Sequence, residues 1–215
     1  MKFSITLLSI LFCTLLANAQ VMPQGYLVNP SNLTITIGTQ VWMKYNLDTE
    51  VYQDGTPIER ANLSFTRSVS SPGWCYYLYN ATYNPIYGKL YNGYAVNDSR
   101  NICPIGFRIP TRAEFATLNT FLGSSAGGKL KETGTLHWTS PNTGATNSSG
   151  FTALPGGYMG DAGSSNNLNT WGYFWTGTSN GTTNYVRYLR YTDAAFTEST
   201  GFALEGGASV RCIKN

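Results

Sequence analysis

One stretch of this chain fixes its local structure more firmly than any other: GFRIPTRAEFATLNTFLG, residues 106–123. Thr111 and Glu114 stand in the S/T-x-x-E relation of a capping box, where two side chains satisfy orphan amides at the helix start. Pro110 cannot continue a helix backwards, so the helix must begin at Thr111. Phe115, Leu118 and Leu122 then recur on one stripe that needs a core to face, and Gly123 ends the run. The surrounding sequence is rich in Gly, Asn, Thr, Ser and Tyr with almost no helical period. A fold for this chain must frame one well-specified helix with strands and long loops.

Strand signals lie on both sides of that helix. LTITIGTQVWMKYNL (33–47) alternates around Gly38-Thr39 and reads as a hairpin with a II′ turn. Residues 48–73 are polar and turn-rich. WCYYLYN (74–80) reads as a strand, and YGKLYNGYAV (87–96) as either a strand or a short helix. Residues 123–170 are dominated by Gly, Asn, Ser and Thr, with a strand-like GFTALPGG at 150–157. Three β-like runs close the chain: GYFWTGT (172–178), NYVRYLRY (184–191) and GASVRCIK (207–214). In NYVRYLRY, Val186 and Leu189 fall on opposite parities, so neither face can simply be assigned inward.

Residues 1–19 have the form of a secretory leader: Lys2, an apolar stretch, and Ala17-Asn18-Ala19 as a small-x-small cleavage site. Leu11 and Phe12 stand before Cys13 where a lipid-attachment signal wants small residues. Plain secretion is expected, to the periplasm, cell surface or extracellular space. Cleavage before Gln20 leaves a short tail (20–31) and one domain (32–215). No transmembrane segment follows the leader. The net charge of +3 is too small and dispersed for nucleic acid to be a partner.

Charged residues make up 12% of the chain, against about 25% in an average domain, while aromatics reach 14%. The surface must therefore be built from Tyr, Asn, Ser, Thr and Gly. Antibody paratopes share this chemistry, because Tyr gives large contact area at low entropic cost; loop-rich β proteins that bind nothing share it too. After the leader, Cys75, Cys103 and Cys212 remain, which in an oxidising compartment gives one disulfide and one spare thiol. Composition does not select the pair. None of the three has zinc-ligand spacing, and no cofactor or metal is expected.

TIGTQVWMKYNLDT, YGKLYNGYAV, CPIGFRIPTRAEFATL, GGKLKETG, SSGFTALPGGY, GYFWTGT and SVRCIKN occur in an order that resembles the Fibrobacter succinogenes major paralogous domain, a secreted domain common in Bacteroidota. RIPTRAEF and the terminal SVRC are also similar to segments of the formylglycine-generating-enzyme group. That second resemblance implies an α+β, C-type-lectin-like fold: a small twisted antiparallel sheet, one or two helices and long irregular loops. It implies too that the terminal strand lies beside the segment entering the central helix. Cys103 would then pair with Cys212, with Cys75–Cys103 as the alternative.

The resemblance does not bring enzyme chemistry with it. Oxygen-dependent relatives need two reactive cysteines near the C-terminal region, where only Cys212 stands, and iron-dependent ones need several histidines, where only His137 exists. The calcium-binding lectin motifs are absent: LPGG replaces the acid-Pro-Asn loop. A non-catalytic, calcium-independent module for a glycan or protein ligand is the expected function. The alternatives are a structural cell-surface component or, less favoured, a carbohydrate-active enzyme. Trp171, Tyr173, Trp175, Asn180, Asn184, Tyr185, Arg187, Tyr188, Arg190 and Tyr191 crowd into one segment, where aromatic faces can stack on a ligand and Arg and Asn supply directional hydrogen bonds. Trp175, Tyr188 and Arg190 are the expected anchors. In some members of this fold group the matching segment is diversified by retroelements.

Overall fold

A computed structural model describes residues 33–61 and 70–215. The expected leader and tail lie outside the described residues. The chain forms β1 (Thr34–Ile37), β2 (Gln40–Met43), β3 (Glu59–Arg60), β4 (Gly73–Cys75), α1 (Asn84–Tyr87), β5 (Leu90–Asn92), α2 (Gly93–Val96) and β6 (Phe107–Arg108). There follow α3 (Arg112–Leu122), α4 (Ala126–Leu130), β7 (Gly156–Met159), β8 (Ser165–Leu168), β9 (Trp171–Ser179), β10 (Thr183–Arg190), β11 (Thr197–Ala203), β12 (Gly207–Ala208) and β13 (Ile213–Lys214). Helix and sheet are mixed, and most strand pairs are antiparallel. One sheet runs β1-β2-β13-β6, and the larger runs β11-β10-β9-β7-β12-β5-β4-β3 with β8 paired to β7.

Helix α3 starts where its residues dictate. The Thr111 hydroxyl accepts the Glu114 amide, and the Glu114 carboxylate accepts the Thr111 amide, completing the capping box. Phe115, Leu118 and Leu122 are buried, and Gly123 ends the helix at φ 67°. The expected first hairpin forms too: Ile37 faces Gln40 across a two-residue loop, with Gly38 at φ 61°. In YGKLYNGYAV both expected readings hold in succession, because the Asn92 side chain accepts the Ala95 amide and converts strand β5 into helix α2.

Other expectations are corrected. WCYYLYN is not one strand: β4 stops at Cys75, and Leu78 and Tyr79 take positive φ (51° and 55°), which turns the chain. GFTALPGG is strand only from Gly156 onward. GASVRCIK is two short strands in different sheets, β12 in the larger and β13 in the smaller. The helix α4 and the strand β11 were not expected. Helix α4 carries Gly127 and Gly128 because its backbone packs against neighbouring chain: a Cβ would stand 2.0 Å from the Ala195 carbonyl oxygen and 2.1 Å from that of Gly144.

The hydrophobic interior is divided by β9 and β10. On one face Trp175 and Val186 join Trp74, Tyr91, Val96 and Val210 around the Cys103–Cys212 bridge. On the other, Phe174 and Leu189 join Trp42, Phe115, Leu118, Trp138 and Phe151 beneath α3. Each face of β10 therefore carries a core residue, and a register shift falls between Asn184 and Val186. This is why the alternation in NYVRYLRY fails. Cys103 and Cys212 are bonded with their α-carbons 6.0 Å apart, and Cys75 is the buried free thiol.

Three carboxylates give the fold an acid limit. Hydrogen bonds from the Arg100 guanidinium hold Asp98 down at about 2, below its usual 3.8. The Arg112 hydrogen bond lowers Glu198; Glu114 is lowered because bonds from Arg108 and Thr111 outweigh its burial. Each contributes stability that is complete above its unfolded pKa and is lost as the carboxylate protonates in the folded state. The melting temperature is accordingly expected to be steady from pH 4.5 to neutral and to fall as the pH drops toward 2. A thermal melt series across that window checks it, and a flat profile would contradict it.

Candidate functional site

The long strands β9 and β10 build the candidate site by simple parity. Successive side chains of a strand point to opposite faces, so Trp171, Tyr173 and Trp175 share one face of β9. Their cross-strand partners on β10 are Arg190, Tyr188 and Val186. Trp171 and Tyr173 lie stacked, ring centroids 5.7 Å apart and planes 8° from parallel. Tyr188 sits 5.1 Å from Trp171 and 5.8 Å from Tyr173. Tyr158 of β7 approaches Tyr173 at 4.9 Å, and Phe202 of β11 meets both Tyr158 (5.6 Å) and Trp175 (4.9 Å).

The row grades from wet to dry. Trp171, Tyr188, Arg190, Tyr158 and Phe202 are part-exposed, Tyr173 is nearly covered, and Trp175 is fully buried. At the open end the Arg190 guanidinium stands 5.3 Å over the Trp171 ring, in cation–π range, with its Nε 2.7 Å from an Asp193 carboxylate oxygen. Burial pushes the Tyr173 phenol up to about 12, so it remains protonated, and its oxygen accepts the Asn167 amide at 3.3 Å. Planar rings beside an arginine and an amide offer stacking and directed hydrogen bonding together.

Not every expected site residue belongs to this face. Trp175 is corrected from anchor to core: it has no exposed surface, and its indole N–H donates to the Tyr91 carbonyl at 2.6 Å. Asn184 is buried and pairs reciprocally with the Asn97 amide at 3.0 and 2.9 Å. Arg187 is buried on the opposite face, 3.2 Å from Glu198 and donating to the Phe196 carbonyl. Tyr185 shares that opposite face, with the Arg112 guanidinium 4.5 Å from its ring. Asn180 shapes the β9–β10 turn by accepting the amides of Thr182 and Thr183. Tyr191 packs beside the core under α3. Trp171, Tyr173, Tyr188 and Arg190 are the expected residues that the fold brings together.

Tyr158 and Phe202 are the members that sequence reasoning missed. Tyr158 immediately follows the strand-like GFTALPGG, and extending that strand would have found it; Phe202 sits in a polar segment with no such signal. Elsewhere, the His137 imidazole lies 2.8 Å from Glu132, and burial pushes the Cys75 thiol up to about 12, which suppresses its thiolate. Among the described residues, no three or more His, Cys, Asp or Glu side chains group as metal ligands.

Residues 35–214, from the second residue of β1 to the last of β13, match the Fibrobacter succinogenes major domain. The chain belongs to that family. Neither a curated protein nor a solved structure matches it. The family match covers the candidate face and, but for the first residue of β1, every β-strand described above, so this Fibrobacter succinogenes major domain carries its aromatic row within the family's own framework.

Proposed function

We propose that this domain is a secreted, non-catalytic ligand-binding or adhesion module that contacts a glycan or protein ligand through the aromatic face of β9 and β10. The observation that carries the reading is the part-exposed row Trp171–Tyr188–Arg190, backed by Tyr173, Tyr158 and Phe202. Rings of this kind stack on sugar faces or fill pockets on a partner, and a rigid backing lowers the entropic cost of binding. The non-catalytic reading is supported by the state of the free thiol described above: Cys75 is buried and held protonated.

The C-type-lectin-like fold belongs to the same proposal. It is supported by the capped helix α3 and by the terminal strand β13 pairing β6, which enters that helix, with the Cys103–Cys212 bridge beside them. Such a fold presents its ligand loops before its closing strands, where the aromatic row stands. Calcium independence is part of the reading. A screen of the mature domain against glycans and cell-surface extracts, run with and without chelator, tests it. Saturable binding unaffected by chelator is expected; binding that vanishes with chelator would overturn the calcium-independent reading.

A further inference from the structure

The dipeptide Asn-Gly occurs twice in the chain, at 92–93 and at 180–181. An asparagine carboxamide is most open to attack by the next backbone nitrogen when glycine follows, because no side chain stands in the way. The fold treats the two copies in opposite ways.

At the tip of the β9–β10 hairpin, Ser179, Asn180, Gly181 and Thr182 are all exposed to water, and Gly181 takes φ 99°. Four donors converge on Asn180 Oδ1: the amides of Thr182 (3.2 Å) and Thr183 (2.8 Å), and the hydroxyls of Thr182 (3.3 Å) and Thr183 (3.1 Å). The Thr183 hydroxyl has the Thr200 carbonyl as a more distant choice, at 3.4 Å. The neighbouring amide is prepared as well. Gly181 N–H donates to Ser179 Oγ at 2.9 Å, and that hydroxyl sends its own hydrogen to the Thr183 carbonyl at 3.1 Å. Donors set in advance around an oxygen stabilise the negative charge that develops on it. Asn92 is the contrast. It is 2% exposed, its Nδ2 is held by the Ser71 carbonyl at 2.8 Å, and Gly93 N–H is tied to the Leu204 carbonyl at 2.7 Å.

We propose that Asn180 is a self-modification site, where the folded hairpin promotes its own deamidation. Gly181 N bonds to Asn180 Cγ, and its proton passes through Ser179 Oγ to water. The tetrahedral oxyanion forms at Oδ1 among the four donors. The Cγ–Nδ2 bond then breaks, ammonia leaves with a proton taken from water, and a cyclic imide remains. A water molecule opens the imide to Asp or isoaspartate. The Asp product keeps the same donors, now as charge-assisted bonds. The isoaspartate product lengthens the backbone inside the turn. Neither step involves the aromatic row.

Incubation of the intact domain in mildly alkaline buffer, followed by peptide mass spectrometry, tests the proposal. Residue 180 is expected to become acid about tenfold or more faster than in a synthetic peptide of residues 175–187, where the donors are not held in place. Asn92 is expected to stay an amide until the domain is unfolded. The double variant Thr182→Val, Thr183→Val, its fold verified by a melt, is expected to slow the conversion toward the peptide rate. Conversion in the domain no faster than in the peptide would overturn the proposal, because the four bonds would then only clamp the side chain. A folded double variant that converts as fast as wild type would overturn it too.

Discussion

Replacing Arg211 by Met is expected to destroy the cooperative fold. The Arg211 side chain is buried, and among the described residues no carboxylate pairs with it. Its charge is held by oxygen dipoles and rings. Nη1 donates to the carbonyls of Met43 (3.2 Å), Lys44 (2.7 Å) and Phe151 (2.6 Å), while Nε and Nη2 both donate to the Asn46 amide oxygen. The guanidinium also lies 4.4 Å from the Phe151 ring. An ion pair can be exchanged for hydrophobes at little cost when both partners change. Here the partners are backbone carbonyls that no substitution removes. Methionine would fill the space and leave them without donors, at about 1–3 kcal/mol for each buried group. Summed over the buried Met43 and Phe151 carbonyls, with a smaller share from the part-buried Lys44 and Asn46 oxygens, the loss approaches the roughly 5 kcal/mol at the lower end of what holds a domain folded. Loss of the sigmoidal melt is the expected readout. A cooperative melt close to wild type would show that water or rearrangement satisfies those carbonyls.

The second large effect lies beside it in sequence. Opening the Cys103–Cys212 bridge, by reduction or by a double serine variant, is expected to cost about 4–5 kcal/mol, because the bridge closes a loop between residues 109 apart. It ties the entry to β6 and α3 to the strand β13, a two-residue strand that pairs β6 at two positions and β2 at one. Two-residue pairing cannot hold a chain end alone. Denaturant unfolding with and without reductant measures the difference, and coincident curves would contradict it. The buried Cys75 should resist alkylation until the domain unfolds, reporting the same event independently.

What could be read from the sequence was local or carried by the family resemblance. The Thr111–Glu114 box, the Gly38-Thr39 turn and the apolar stripe of α3 depend on residues a few positions apart, and each formed as read. The disulfide came from the resemblance, not from spacing. What escaped was set by distant parts of the chain. Val186 and Leu189 serve different cores on the two faces of one strand, a condition that erases alternation. Helix α4 has the poor helix sequence AGGKL, and close backbone approach by residues 144 and 195 selects its glycines. Among the site residues, Trp175 and Arg187 looked like Trp171 and Arg190 in composition. Parity and the depth of the sheet separate them.

Buried cations were the least legible feature. Lys131 is fully buried with its Nζ donating to the carbonyls of Thr143, Arg190 and Asp193. Residue type alone places a lysine at the surface. Its ammonium instead ties its own segment to the loop at Thr143 and to the end of β10 with the turn after it, and one of those carbonyls belongs to Arg190. A polar core contact thereby fixes the backbone of a residue on the candidate face.

The account's central claim is that the wet end of the aromatic row binds and the dry end folds. Alanine variants of Trp171, Tyr188 and Trp175 should be compared by melting temperature and by affinity for a ligand recovered in the binding screen. Trp171→Ala and Tyr188→Ala are expected to lose about 2 kcal/mol or more of binding while their melting temperatures stay near wild type. Trp175→Ala is expected to lose about 3 kcal/mol or more of folding free energy. If Trp171→Ala and Tyr188→Ala bind as wild type does, or unfold as Trp175→Ala does, the ligand face lies elsewhere on the domain.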